Sequence, residues 1–195
     1  AAKIPMFKLE LLSVDGKKSF DINKIKGSAM QKYGPKDSKL IHFQILDWEY
    51  FMGLHKDRVR FNIMPVTAWY TEIEGTGPIP PHIDPVDKLA LNYYIETGEC
   101  TTRFYEIKKE TNVDFSSSRE EFNEQDSTKT VKSVLDPSQL TCLGEFTASA
   151  GDAFLIRTDI LHSVSTPKSV RKFISYRWID PQFTFEQIAQ SIQIL

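Results

Sequence analysis

Four residues have the types and the order to do metal chemistry: His82 and Asp84 two positions apart, His162 much later in the chain, and Arg171 nine positions beyond it. Two imidazoles and one carboxylate form a donor set that suits non-haem Fe(II), and they leave coordination positions open for a chelating cosubstrate and for dioxygen. On extended backbone, residues i and i+2 project to the same side, so His82 and Asp84 can grip one ion while Ile83 points away. Nothing in this set calls for the soft thiolates that would argue for zinc or an iron–sulfur cluster. The plainer reading has His82 capping a loop and Asp84 making an Asx turn before Pro85, and the dipeptide alone favours it.

A turn near Thr166-Pro167-Lys168-Ser169 is expected to fold Val170 to Ile179 back beside His162. Arg171 would then be its direct or diagonal cross-strand neighbour, within roughly 8 Å. Arg171 shares a strand face with Phe173, Ser175 and Arg177, and Ile174, Tyr176 and Trp178 take the other. If the first face lines a barrel, Arg171 is a buried charge that needs a partner. A bidentate carboxylate from a ligand would satisfy it, and so would an internal Asp or Glu. His42, in apolar Leu40-Ile41-His42-Phe43, reads as a satisfied core or surface histidine, and His55, among charged residues, as solvated.

The elements that must position these residues read as short β-like runs between turn signals, which predicts a sandwich or barrel. Phe7 to Val14 alternates weakly and ends at the turn Asp15-Gly16. Leu40 to Met52 predicts a helix. Val59 to Thr71 predicts one strand, with Pro65 at an edge or bulge. Gly75 to Pro81 is expected to break regular structure before His82, its stiff backbone fixing where that side chain points. Leu89 to Ile95 and Thr101 to Ile107 predict a strand pair across Glu96-Thr97-Gly98-Glu99. Residues 108–133 turn charged and polar, as a solvated excursion or as a lid over the site. Strands return at Ala153 to Ile156, His162 to Val164 and Val170 to Ile179. Thr184 with Gln187 forms a capping-box pattern ahead of a C-terminal amphipathic helix, with Phe185, Ile188, Ile192 and Leu195 on its apolar face.

A chain of 195 residues with 41% apolar and 12% aromatic content fits one domain, residues 1–195, with a core over about 58–179 and a polar insertion over about 108–133. The formal charge of -2 and pI near 6.1, with both signs interspersed, predict no nucleic-acid partner. Cys100 and Cys142 are too few for a disulfide scaffold, so a reducing, cytoplasmic setting is expected. No apolar run approaches the roughly 18 residues of a membrane span, and no membrane association is expected. The start Ala1-Ala2-Lys3-Ile4-Pro5 has no signal-peptide pattern, and the missing initiator Met leaves room for an upstream segment.

From about Phe61 to Trp178 the chain resembles the Fe(II)/2-oxoglutarate-dependent oxygenase superfamily. The likeness rests on His82-x-Asp84, the strand Leu89 to Ile95, the run Gly151-Asp152-Ala153-Phe154-Leu155-Ile156, then His162 and Arg171. The interval from His162 to Arg171 is similar to that of the prolyl-hydroxylase-like branch, as are Gly75-Thr76-Gly77 and Tyr93-Tyr94. One departure is Thr101-Thr102-Arg103-Phe104-Tyr105, where many relatives carry a Gly-Gly-Glu-Thr-like run. The resemblance implies a mainly β, double-stranded β-helix (jelly-roll, cupin-like) fold with a few flanking helices. It also implies catalytic iron ligands His82, Asp84 and His162, with Arg171 on the distal carboxylate of 2-oxoglutarate. Tyr94 and Tyr70 are the further cosubstrate contacts it suggests, and Asn92 and Ser175, which share strand faces with Tyr94 and Arg171, could also reach the site. The implied activity is oxidation of a small-molecule or peptide substrate, with Fe(II), 2-oxoglutarate and dioxygen consumed to give succinate and CO2. Asp84 favours hydroxylation over halogenation, because the halogenating branch has a small residue there. Two other readings remain: a cupin-like metalloprotein of another class, such as an isomerase or a dioxygenase that does not use 2-oxoglutarate, and a binding module with a vestigial site.

Overall fold

Alternating β-branched and aromatic residues, as in Thr67-Ala68-Trp69-Tyr70-Thr71-Glu72-Ile73-Glu74, favour a pleated, half-buried backbone, and the computed structural model is built from such strands. It describes residues 6–9, 26–33, 39–45, 59–74, 78–84, 89–108, 120–123, 128–131, 137–178 and 182–195. The strands are β1 (Met6–Leu9), β2 (Lys26–Tyr33), β3 (Lys39–Ile45), β4 (Val59–Phe61), β5 (Thr67–Glu74), β6 (Ile79–Ile83), β7 (Ala90–Thr97) and β8 (Thr101–Ile107). They continue with β9 (Glu120–Asn123), β10 (Thr128–Val131), β11 (Leu140–Thr147), β12 (Ala153–Ile156), β13 (Leu161–Val164), β14 (Arg171–Arg177) and β15 (Ile192–Ile194). Helix α1 spans Phe185–Ser191, and a single 3-10 turn spans Pro137–Gln139.

The larger sheet has the order β1-β12-β7-β14-β5-β3-β2, the smaller β11-β8-β13-β6-β10-β9, and β15-β4 make a short ribbon. Eight strands pair in nested fashion: β5 with β14, β6 with β13, β7 with β12 and β8 with β11, all antiparallel. A chain that pairs its first strand with its eighth, its second with its seventh and so inward is a jelly roll, or double-stranded β-helix. The mainly β expectation holds.

The larger sheet buries both faces of its central strands. Ile73, Ala90, Tyr94, Phe154, Ile156 and Phe173 pack between the sheets with Phe104, Phe146 and Ala148. On the outer face, Ala68, Tyr70, Leu91, Tyr93, Leu155, Ile174 and Tyr176 pack with Trp178, Phe61, Ile188 and Ile192. Helix α1 closes that outer core. Thr184 Oγ1 accepts from the Gln187 amide while the Gln187 side chain accepts from the Thr184 amide, completing the expected capping box. The helix stops at Ser191, however, so Ile192 is buried from β15 and Leu195 is exposed.

Several local expectations are corrected. Leu40 to Met52 is no helix in its described part: residues 39–45 form β3, because a short apolar run has no decisive period and pairing with β2 and β5 settles it. Residues 46–52 lie outside the described part, as do Asp15-Gly16 and the Gly75-Thr76-Gly77 run. Val59 to Thr71 splits into β4 and β5, with Pro65 in the intervening loop where no ladder bond is lost. Pro80 and Pro81 sit inside β6, tolerated because the register with β13 is irregular between His162 and Val164.

Strands β7 and β8 do not pair. The turn at Gly98 and Glu99, with φ of 58° and 55°, carries the chain from the larger sheet to the smaller. Strands β13 and β14 do not pair either, since β13 lies between β6 and β8 while β14 lies between β5 and β7. The polar segment contributes the hairpin β9–β10, which extends the smaller sheet beside β6.

Candidate metal centre

Strands β6 and β13 are neighbours in register, with His82 opposite His162 and ring centroids 4.2 Å apart. Asp84 follows β6 directly, and its amide donates to the Thr158 carbonyl at 3.0 Å, which turns the chain so that the carboxylate faces both rings. One donor atom from each of His82, Asp84 and His162 lies within 4.8 Å of the others. Asp84 Oδ1 is 3.4 Å from His82 Nε2 and 3.8 Å from His162 Nε2.

Each imidazole is oriented by its own strand. His82 Nδ1 lies 2.9 Å from the Pro80 carbonyl and His162 Nδ1 lies 2.7 Å from the Ile160 carbonyl. A carbonyl can only accept, so both Nδ1 atoms carry a proton, and both Nε2 atoms are turned towards Asp84. This is the arrangement a metal-binding histidine needs, with the backbone fixing ring and tautomer. His162 is buried, and burial foremost, with His82 beside it, lowers its pKa from 6.5 to about 4 against the opposing pull of Asp84. It is therefore neutral, the form that binds a cation, at ordinary pH.

Burial works to raise the Asp84 pKa, but the Arg177 guanidinium and the two histidines outweigh it and hold the carboxyl below the usual range. Arg177 Nη1 donates to Asp84 Oδ2 at 2.6 Å, and Arg177 Nε donates to Ser175 Oγ at 2.8 Å. The donor set of two imidazoles and one ionised carboxylate fits a first-row divalent metal.

Arg171 reaches the interior from the facing sheet, not as a cross-strand neighbour of His162. It is only 4% exposed. Its guanidinium lies over the Phe173 ring at 4.6 Å and the Tyr94 ring at 5.5 Å. Its Nε has no hydrogen-bond partner, and no carboxylate among the described residues pairs with it. Asn92 and Tyr94 project from the adjacent strand to the same side, and Asn92 Nδ2 donates to Tyr94 Oη at 3.4 Å, leaving Asn92 Oδ1 without a partner. Ser175 stands opposite Asn92 in the β14·β7 register. Arg171, Tyr94, Asn92 and Ser175 thus share one inner face, and Arg177 joins that row to Asp84.

Tyr70 is not brought to this face. It lies on the outer side of β5 with Ala68, and its hydroxyl donates to Glu72 at 2.8 Å. Burial and that bond push its pKa well up. The even positions of β5 face outward, so Thr71 and Ile73, not Tyr70, take the inner face. Arg177 is the residue that sequence reasoning missed. Its parity with Arg171 was visible, but the element facing it was not.

No protein-family model matches the sequence, and no curated protein sequence does. Among solved structures, AviO1 from Streptomyces viridochromogenes Tue57 is similar at 11% identity and a TM-score of 0.49, over 92% of this chain and 91% of that one. An oxalate decarboxylase of Bacillus subtilis is similar at 10% identity and a TM-score of 0.39, over 79% of this chain and 28% of that one. Vicilin from hazelnut, Corylus avellana, follows at 9% identity and 0.38, over 87% and 33%. The chain thus spans under a third of the length of the oxalate decarboxylase. The jelly-roll assignment rests on the strand order itself, and the strand order places a candidate His-Asp-His metal centre inside it.

Proposed function

We propose that this protein is a non-haem Fe(II) oxygenase that uses 2-oxoglutarate to hydroxylate an amino acid, a peptide side chain or another small molecule. The observation that carries this reading is the pairing of two features in one interior. Three ligand atoms converge on β6 and β13, and a buried arginine with an unpartnered Nε faces the same space from β14. A triad alone would suit many cupin-like metalloproteins. An unpaired buried guanidinium is costly unless an anion arrives to meet it, and a dicarboxylate that also chelates the metal satisfies both ends.

Fe(II), 2-oxoglutarate and dioxygen together supply the oxidising chemistry, with succinate and CO2 released. His82, Asp84 and His162 hold the metal through two Nε2 atoms and one carboxylate oxygen. Arg171 meets the distal carboxylate of the cosubstrate, stiffened by the rings of Phe173 and Tyr94 on which it lies. Ser175 and the Asn92–Tyr94 pair give that carboxylate and the chain behind it polar contacts. Phe104, whose ring centroid is 5.9 Å from that of His162, begins the aromatic wall that Phe146 and Phe154 continue and that keeps bulk water out.

Anaerobic titration with Fe(II) and 2-oxoglutarate should produce a weak visible charge-transfer band. A screen of amino acids, peptides and nucleobases for succinate release should then find the acceptor. No band and no succinate with any candidate would refute the reading.

A further inference from the structure

We propose that Arg177 is a positioning residue of this centre, one that restricts Asp84 to a single ligating oxygen. The inference rests on the metal-binding reading above and concerns a residue which that reading leaves without a role. Asp84 presents its two oxygens to different neighbours. Oδ1 faces both imidazole Nε2 atoms, at 3.4 and 3.8 Å, whereas Oδ2 is taken by Arg177 Nη1 at 2.6 Å. The guanidinium is itself held at a second point, because its Nε donates to Ser175 Oγ at 2.8 Å. A fork fixed at two points cannot follow the carboxylate if it rotates.

For Asp84 to grip an ion with both oxygens, Oδ2 would have to leave Arg177. That would break the 2.6 Å ion pair of a guanidinium whose side chain is only 19% exposed, beside an incoming dication. Two imidazoles and one oxygen leave three positions open on a six-coordinate ion, and a two-oxygen carboxylate would leave two. A cosubstrate that chelates through two atoms, with dioxygen beside it, needs three. The guanidinium also withdraws charge from the carboxylate, so its removal should tighten metal binding while closing a position.

Mn(II) loaded alone, without cosubstrate, reports the open positions through the relaxation of exchanging water protons. In Arg177→Met the relaxation enhancement per bound Mn(II) should fall by about a third, the ratio of two open positions to three. Arg177→Lys, with a cation but no fork, should lie between the two. Unchanged relaxation in Arg177→Met, with Mn(II) still bound, would overturn the proposal. If Arg177→Met fails to fold, Ser175→Ala carries the test, since it frees Nε: a fall supports the proposal and wild-type relaxation overturns it. Failure of the wild-type protein to bind Mn(II) would instead refute the metal centre itself.

Discussion

The carbonyls of Pro80 and Ile160 orient the two imidazoles, so the three candidate ligands differ mainly in charge and burial. Folded, metal-free protein takes up a proton on His162 only near pH 4, whereas the unfolded chain does so near 6.5. Between these values the unfolded state binds more protons, so stability falls as the pH is lowered through that window, by roughly 3 kcal/mol at most. Thermal melting of the chelator-treated protein from pH 7 to pH 4 should show this slope, and His162→Gln should flatten it. Under the function proposed above, replacing Arg171 by Gln should weaken 2-oxoglutarate binding by on the order of 10- to 100-fold, the worth of a charged hydrogen-bonded pair. Metal affinity should be unchanged, and parallel titrations of metal and cosubstrate would separate the two effects.

Elements decide which of these residues meet. The turn after β7 is held in left-handed backbone at Gly98, and a Cβ there would lie 2.9 Å from the Ser169 carbonyl oxygen and 3.3 Å from the Arg171 Cβ. Gly98→Ala should therefore cost about 1–3 kcal/mol, read as a lower melting temperature, and under the proposed function should weaken cosubstrate binding through the displaced Arg171. How much the sequence disclosed follows from the range of each signal. Period two on β14 put Arg171, Phe173, Ser175 and Arg177 on one face, and that face is the inner one. The His82-x-Asp84 spacing and the Thr184 to Gln187 cap are equally local, and both were legible. Pairing partners are not local. Gly98-Glu99 reads as a hairpin turn yet shifts the chain between sheets, and the run after Leu40 becomes a strand only because β2 and β5 flank it. Tyr70 failed for a related reason: its register relative to β14 fixes its face, and nothing near it in the chain reports that register.

At the scale of the molecule, one sheet carries the candidate metal centre and the other the row of Arg171, Tyr94, Asn92 and Ser175, linked by Arg177 to Asp84. Ligands that bind only the folded state should stabilise the whole jelly roll. Mn(II) at 100 times its dissociation constant should add about 2.7 kcal/mol, visible as a raised melting temperature that a chelator reverses and that Asp84→Ala abolishes. Nested pairing has a further effect on how the centre comes into being. Strand β6 carries His82 but waits for β13, and β5 waits for β14, so during synthesis the ribosome must release nearly the whole domain before either pair can close. Contacts so distant along the chain form slowly, and until they do, a nascent chain presents His82 and Asp84 without their third ligand. The candidate site is therefore completed late, after an interval in which a two-donor half-site is open to any passing ion.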